Sequence, residues 1–296
     1  MKRMISERIN HESMSSRIVD HLLKKELKRR AQKHNQKRTV PLAVFGNDWI
    51  GINVNVNGIY EEQHILDLVN ILKNLGLDLK DSTAIDIGAN IGNHAIEFSK
   101  IFRNVVCLEP NPRSFDILAA NTKNIGNIEI HNWGCSSTSE RIRFQEDFNN
   151  IGGSSAAIDV ASSNEIKIQV RPLDDLALSF KNVALIKIDV EGMEFSALKG
   201  AKNIISTFHP IICLEQHEAE FGADYLETQS IDFLRSLGYR VFCLDKGRHQ
   251  NFICKRLNNI KDFLLGAADR RVVVEYEQLP RGTYPMIYAV HSNYLK

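Results

Sequence analysis

Beyond Thr83 the chain changes rhythm: apolar runs of four to six residues alternate with segments of helical spacing. A strand that is apolar on both faces must be covered on both faces, and repeated βα units supply that cover. The pattern therefore specifies an α/β fold, with a mostly parallel sheet and helices on both faces. Strands are expected at 84–88, 104–109, 128–133, 184–189, 210–215, 240–244 and 286–291. The connections of about 50 residues between the third and fourth strands and about 40 between the sixth and seventh are long enough to carry elements of their own. In the first of these, Arg141-Ile142-Arg143-Phe144 and Ile166-Lys167-Ile168-Gln169-Val170 alternate around the loop Ile151-Gly152-Gly153-Ser154-Ser155, the pattern of an inserted β-ribbon.

Ahead of Thr83, two further regions are expected. Residues 1–40 hold 12 Lys/Arg against 4 Asp/Glu, while the rest of the chain holds 25 against 32, so a near-neutral net charge of +1 conceals a basic arm. Apolar and basic positions alternate at helical spacing over 13–33. Peripheral contact with anionic lipid through this arm stays open, but a Lys-rich stretch is first of all a solvated helix face. Residues 41–82 form a preamble packing on the core, with a short hairpin around Trp49 to Val56 and a helix from Glu61 to Leu75; the main domain runs from 83 to 296. No run of about 18 apolar residues occurs and the N-terminus lacks the apolar stretch of a secretory signal, so a cytoplasmic protein is expected. The five cysteines form no C-x-x-C pair and read as reduced core thiols.

The first strand, Ala84 to Gly88, passes through a glycine-containing turn (Ala89, Asn90, Ile91, Gly92) into a helix beginning near Asn93. A dinucleotide fingerprint would put glycine where Asp86 stands, with a helix N-terminus aimed at a pyrophosphate. A carboxylate there repels a pyrophosphate, yet it accepts hydrogen bonds from the ammonium of an amino-acid-bearing cofactor, so S-adenosylmethionine is favoured over NAD. Glu109 ends the second strand, in the position from which an acid pairs with ribose hydroxyls, and Pro110 and Asn111 follow it in a tight turn. Asp86, Gly88, Asn90, Gly92, Asn93, Glu109, Pro110 and Asn111 are thus the expected cofactor residues.

The chain resembles the FkbM-family methyltransferases. The resemblance is carried by Gly58-Ile59-Tyr60-Glu61, Ile85-Asp86-Ile87-Gly88-Ala89-Asn90-Ile91-Gly92, Glu109-Pro110-Asn111-Pro112, Gly152-Gly153-Ser154-Ser155, Val170-Arg171-Pro172-Leu173-Asp174-Asp175-Leu176 and Ile186-Lys187-Ile188-Asp189-Val190-Glu191-Gly192. It implies a Rossmann-like class I methyltransferase sheet of seven strands, with the last inserted antiparallel beside the sixth. It also implies methyl transfer from S-adenosylmethionine to a hydroxyl on a sugar, glycan or secondary metabolite. Glu61 and Tyr60 are placed by it over the cofactor and the acceptor, Gly153, Ser154 and Ser155 near the acceptor, and Ser136 after the third strand near the adenine. One departure is Pro172, where the family usually has Thr, and it puts the pairing of the last ribbon strand in question.

Methyl transfer to a hydroxyl calls for a base or a metal beside the acceptor. The fourth strand ends in Asp189 and Glu191 and the fifth in Glu215 and His217, and side chains two apart on a strand share a face. These four are the candidate catalytic residues, with Asp189 also bordering the cofactor. A divalent metal on Asp189, Glu215 and His217 is the alternative to a His217 base. Two other readings remain open: a nicotinamide-dependent sugar-modifying oxidoreductase, and a non-catalytic protein that keeps the fold. Nucleic acid is not the expected acceptor, because no N-P-P-Y-like loop follows the fourth strand.

Overall fold

The computed structural model describes residues 14–37, 40–145, 155–156, 165–221, 227–245 and 272–295. The chain divides into two compact units, Met1–Tyr60 and Glu61–Lys296.

In the first unit, α1 (Met14–Lys37) is the helix expected of the basic arm, and α2 (Trp49–Asn57) replaces the expected hairpin. The alternation of Ile52, Val54 and Val56 resembles a strand, but Asp48 overrides it. Its side chain accepts the N–H groups of Ile50 (3.1 Å) and Gly51 (3.3 Å), satisfying donors that a helix start leaves free. Gly51 and Val54, one helical turn apart, are then the buried pair.

The second unit begins with α3 (Glu62–Asn74), which buries Ile65, Leu68, Val69 and Leu72 at helical spacing. Its sheet contains β1 (Thr83–Ile87), β2 (Asn104–Leu108), β3 (Ile128–His131), β8 (Val183–Ile188), β9 (Ile211–Gln216), β10 (Tyr239–Asp245), β11 (Val272–Tyr276) and β12 (Tyr284–His291). They lie in the order β11-β10-β12-β9-β8-β1-β2-β3. From β3 to β9 the strands are parallel, and β12 runs antiparallel between β9 and β10. This is the expected Rossmann-like arrangement, extended at one edge by β11. That eighth strand pairs antiparallel with β10 and lies in the long connection after the sixth expected strand, on the apolar run Val272-Val273-Val274. Every residue of β1 and β8 is buried, as central strands covered on both faces must be. The helices are α4 (Asn93–Ser99), α5 (Pro112–Thr122), α6 (Glu194–Gly200), α7 (Lys202–Phe208) and α8 (Gln229–Ser236).

The expected ribbon is a separate four-stranded sheet of β4 (Gly134–Cys135), β5 (Glu140–Gln145), β6 (Ser155–Ala156) and β7 (Glu165–Arg171), in the order β4-β7-β5-β6. Pro172 does not disturb it. β7 stays paired with β5 through Val170, and the proline falls just past the strand end, where its missing N–H costs no ladder bond. Among the described residues no helix is long and apolar enough to cross a membrane.

The turn after β1 is held by packing. Gly88 has φ +79°, and a Cβ there would lie 1.8 Å from the Asp189 carbonyl oxygen. The glycine is thus required by the neighbouring strand end, independently of any ligand. Gly88→Ala should destabilise the fold by about 3 kcal/mol or prevent folding, because backbone strain and a backbone clash add. Gly126→Ala, where a Cβ meets nothing within 4 Å, should stay within about 0.5 kcal/mol of the parent. Equal urea midpoints for the two variants would contradict this account.

Candidate active site

The carboxyl ends of β1, β2, β8 and β9 converge, and the sequence-predicted residues fall into three groups around them. The first group surrounds Glu109. The loop after β1 folds over β2, with the N–H groups of Gly88 and Ala89 donating to the Leu108 carbonyl (2.9 and 3.0 Å). That brings the Asn90 N–H to Glu109 Oε2 and the Asn111 N–H to Glu109 Oε1, each at 2.8 Å. Burial pushes the Glu109 carboxyl up to about 7, against the lowering effect of the two N–H donors. Asn111 caps α5 by accepting the Arg113 N–H at 3.0 Å, and the Pro110 carbonyl accepts from Asn132 at 3.3 Å. Gly92, at φ +87°, starts α4, of which Asn93 is the first, buried residue.

The second group centres on a residue that sequence reasoning missed. Lys187 is 3% exposed and stands opposite Asp86 in the β1/β8 register. Its Nζ lies 3.5 Å from Asp86 Oδ1 and 3.2 Å from Asp189 Oδ2. Asp86 is wholly buried, and neither of its oxygens accepts a hydrogen bond. Burial opposes the charge on Lys187, but Asp189, Asp86 and Glu61 outweigh it and hold its ammonium above the ordinary lysine value.

Glu61 begins the second unit in the left-handed conformation, φ 55°, at the N-cap of α3. His94 Nε2 lies 3.3 Å from its Oε2, and His64 Nδ1 lies 3.8 Å from its Oε1. Burial raises this carboxyl, yet the two histidines and Lys187 together hold it well below the usual range. Helical spacing identifies His64 as one turn into α3, and His94 follows the glycine turn. His64 stands three residues after Glu61, but nothing in the sequence joins His94 to Glu61.

The third group is His217 with two carboxylates. Its Nε2 lies 3.5 Å from Glu215 Oε1 and 3.8 Å from Glu191 Oε2, while the His217 backbone N–H donates to Glu220 Oε1 at 2.8 Å. Burial pushes both carboxyls up, Glu191 with help from Asp189 and Glu215 with help from Asp189, Glu191 and Glu61. Glu191 is left-handed, φ 48°, in a turn held from beneath by Glu194, whose Oε1 accepts the N–H groups of Val190 (3.3 Å) and Gly192 (3.2 Å). Asp189 links the second and third groups.

Other expected residues lie elsewhere or outside the description. The Ser136 hydroxyl is 3.0 Å from that of Ser196 on α6, joining the ribbon to that helix. Tyr60 is the last residue of the first unit. Ser155 begins β6, and Gly153 and Ser154 lie outside the described residues. Among the described residues no three His, Cys, Asp or Glu side chains are grouped so as to hold a metal ion, which includes Asp189, Glu215 and His217.

Residues 86–241 match the model of the methyltransferase FkbM domain. The chain is 32% identical over 183 residues to the hexuronic acid methyltransferase AglP of Haloferax volcanii, spanning 61% of this chain and 72% of that one. Among solved structures it is similar to methyltransferase FkbM from Methylobacillus flagellatus (27% identity, TM-score 0.33), over 46% of this chain and 32% of that one, about a third of its length. It is also similar to the precorrin-6y C5,15-methyltransferase of Geobacter metallireducens (15% identity, TM-score 0.38), over 79% of this chain and 92% of that one. With more than half of its length matched by the domain model, the chain belongs to the FkbM methyltransferase family.

Proposed function

We propose that this enzyme transfers the methyl group of S-adenosylmethionine to a hydroxyl oxygen of a sugar or glycan. The observation that carries the reading is the separation of its strand ends into a nucleoside side, built on Glu109, and a proton-accepting side, built on His217. The name of the Haloferax volcanii relative supports a sugar acceptor.

The chain's residues fit the cofactor. Glu109 already receives two backbone N–H groups, which aim its remaining lone pairs at the ribose hydroxyls. Asp86, buried and accepting no hydrogen bond, suits the ammonium of the amino-acid portion. When bound, S-adenosylmethionine supplies an electrophilic methyl for in-line displacement. The protein must then hold the acceptor oxygen against that methyl and take its proton. His217 takes the proton, and Glu215 and Glu191 orient the imidazole and stabilise the imidazolium that results. Glu61 contacts the methionine portion, while Ser136 supports the adenine side. Incubating the enzyme with labelled S-adenosylmethionine and a panel of neutral sugars, uronic acids and glycan fragments tests the reading. Methyl ether products on a sugar oxygen are expected, and products confined to nitrogen or to nucleic acid would overturn it.

Two further outcomes follow from the roles assigned. His217→Ala should lower kcat by about 10² to 10⁴, with S-adenosylhomocysteine affinity unchanged, because the lost base acts on the acceptor alone. A proportionate loss of cofactor affinity in calorimetry would reassign the residue.

The second concerns pH. The native Glu109 carboxyl titrates near 7, above the ordinary glutamate value of 4.5. Between those values the native state holds the extra proton, so this group's contribution to stability falls as pH rises. Cofactor binding runs the other way, since the ionised carboxylate is the better acceptor for two hydroxyls. Affinity for S-adenosylhomocysteine should therefore weaken as pH falls below about 7, by up to about tenfold per unit. Glu109→Gln should bind more weakly and lose that dependence; an unaltered pH profile in the variant would count against the ribose role.

A further inference from the structure

Lys187 has no part in the chemistry described so far, yet it is a fully enclosed cation at the centre of the site. It occupies a strand position whose neighbours Leu185, Ile186 and Ile188 are all buried and apolar. An apolar side chain there would satisfy the fold. A buried ion pair is weak as a source of stability, because desolvation offsets most of the attraction, whereas a single unpaired charge is strongly destabilising. The geometry pairs Lys187 with Asp86, whose carboxylate has no hydrogen-bond donor, at a distance of 3.5 Å. That distance leaves the oxygens of Asp86 uncapped. A closer clamp would consume the acceptor capacity that an incoming ammonium needs.

We propose that Lys187 is a positioning residue for the cofactor: it serves as the internal counter-ion that holds the Asp86 carboxylate turned toward the amino-acid portion of S-adenosylmethionine. The same ammonium, 3.2 Å from Asp189, ties the cofactor side of the site to its acceptor side. The groups facing it are Asp86 from β1, Asp189 beyond β8, Glu61 ahead of α3, Cys107 from β2, and Cys213 and Glu215 from β9. Lys187 is the one cation in that list.

The inference rests on the reading of Asp86 as the partner of the cofactor ammonium, and two ligands separate that reading from a general structural role. S-Adenosylhomocysteine carries the amino-acid portion, and 5′-methylthioadenosine keeps the adenine, ribose and sulfur without it. In calorimetry, Lys187→Met should weaken S-adenosylhomocysteine by about 10- to 100-fold and leave 5′-methylthioadenosine within about twofold, with Lys187→Arg recovering part of the loss. Equal weakening of both ligands, or of neither, would overturn the proposal. If Asp86→Asn binds S-adenosylhomocysteine as tightly as the parent, the Asp86 reading itself fails and the role of Lys187 falls with it.

Lys187→Met leaves Asp86 buried without its counter-ion, so failure of that variant to fold is covered by a second comparison. Asp86→Asn and Asp86→Asn/Lys187→Met, the latter with both charges removed, should share one ratio of S-adenosylhomocysteine to 5′-methylthioadenosine affinity. A further selective loss on adding Lys187→Met would show that the lysine does not act through Asp86.

Discussion

The close approach of β1 and β8 beyond their regular ends is the contact on which the site depends. The Asp189 N–H donates to the Ile87 carbonyl at 3.1 Å, and its own carbonyl sits where any side chain at residue 88 would have to go. Because the strands stay joined to that point, Asp86 and Lys187 face each other in register, and the two loops that follow rise from one place. The first loop then crosses to β2, where Gly88 and Ala89 share the Leu108 carbonyl and Asn90 reaches Glu109. Three strand ends are stitched together by backbone bonds before any ligand is considered. That is the rigid support a site needs if its groups are to meet a cofactor without reorganising.

Strain is concentrated in the same region. Of the four non-glycine residues with positive φ among those described, Glu61, Asn90 and Glu191 each bring a group to the site, and His209 ends a helix. A left-handed conformation costs a non-glycine residue about 1 kcal/mol or more, so it persists only where neighbouring contacts over-determine it. Those contacts are visible. Asn90 is tied by its N–H to Glu109, Glu191 is flanked by two N–H groups bound to Glu194, and Glu61 is paired with His94 and His64. In each case the unusual backbone aims a carboxylate or an N–H group inward.

The parts of this arrangement that follow from periodicity were legible in the sequence. Apolar runs marked the strands, and the two-residue repeat correctly put Glu215 beside His217 and Asp86 and Glu109 at adjacent strand ends. What periodicity cannot register was missed. A capping aspartate made a helix of Trp49–Asn57 although its side chains alternate like a strand's, since capping competes with pattern over so short a segment. Lys187 was passed over because a lysine interrupting an apolar strand reads as exposed until the facing residue is known, and the facing residue depends on register between strands about a hundred positions apart. The grouping of Glu61 with His94 is likewise a product of tertiary packing, whereas His64 and Glu194 act on groups within four residues of them in the chain.

These environments drive the ionisable groups of the site apart. Lys187 is held charged by its carboxylate neighbours and Glu61 by its histidines, while burial and mutual repulsion push Glu191 and Glu215 toward protonation around His217. In the first half the groups around Lys187 are thus held charged, while burial pushes Glu109 up to about 7; the second half, around His217, is set up to gain and lose protons. An acceptor that must surrender a proton needs groups whose protonation can change at little cost, as carboxylates and imidazole in one partly buried cluster provide. A nitrogen acceptor already offering a lone pair would make little use of the second half. The two halves meet at Asp189, which lies 3.2 Å from the Lys187 ammonium and raises both Glu191 and Glu215, so a change of charge on one side is felt on the other.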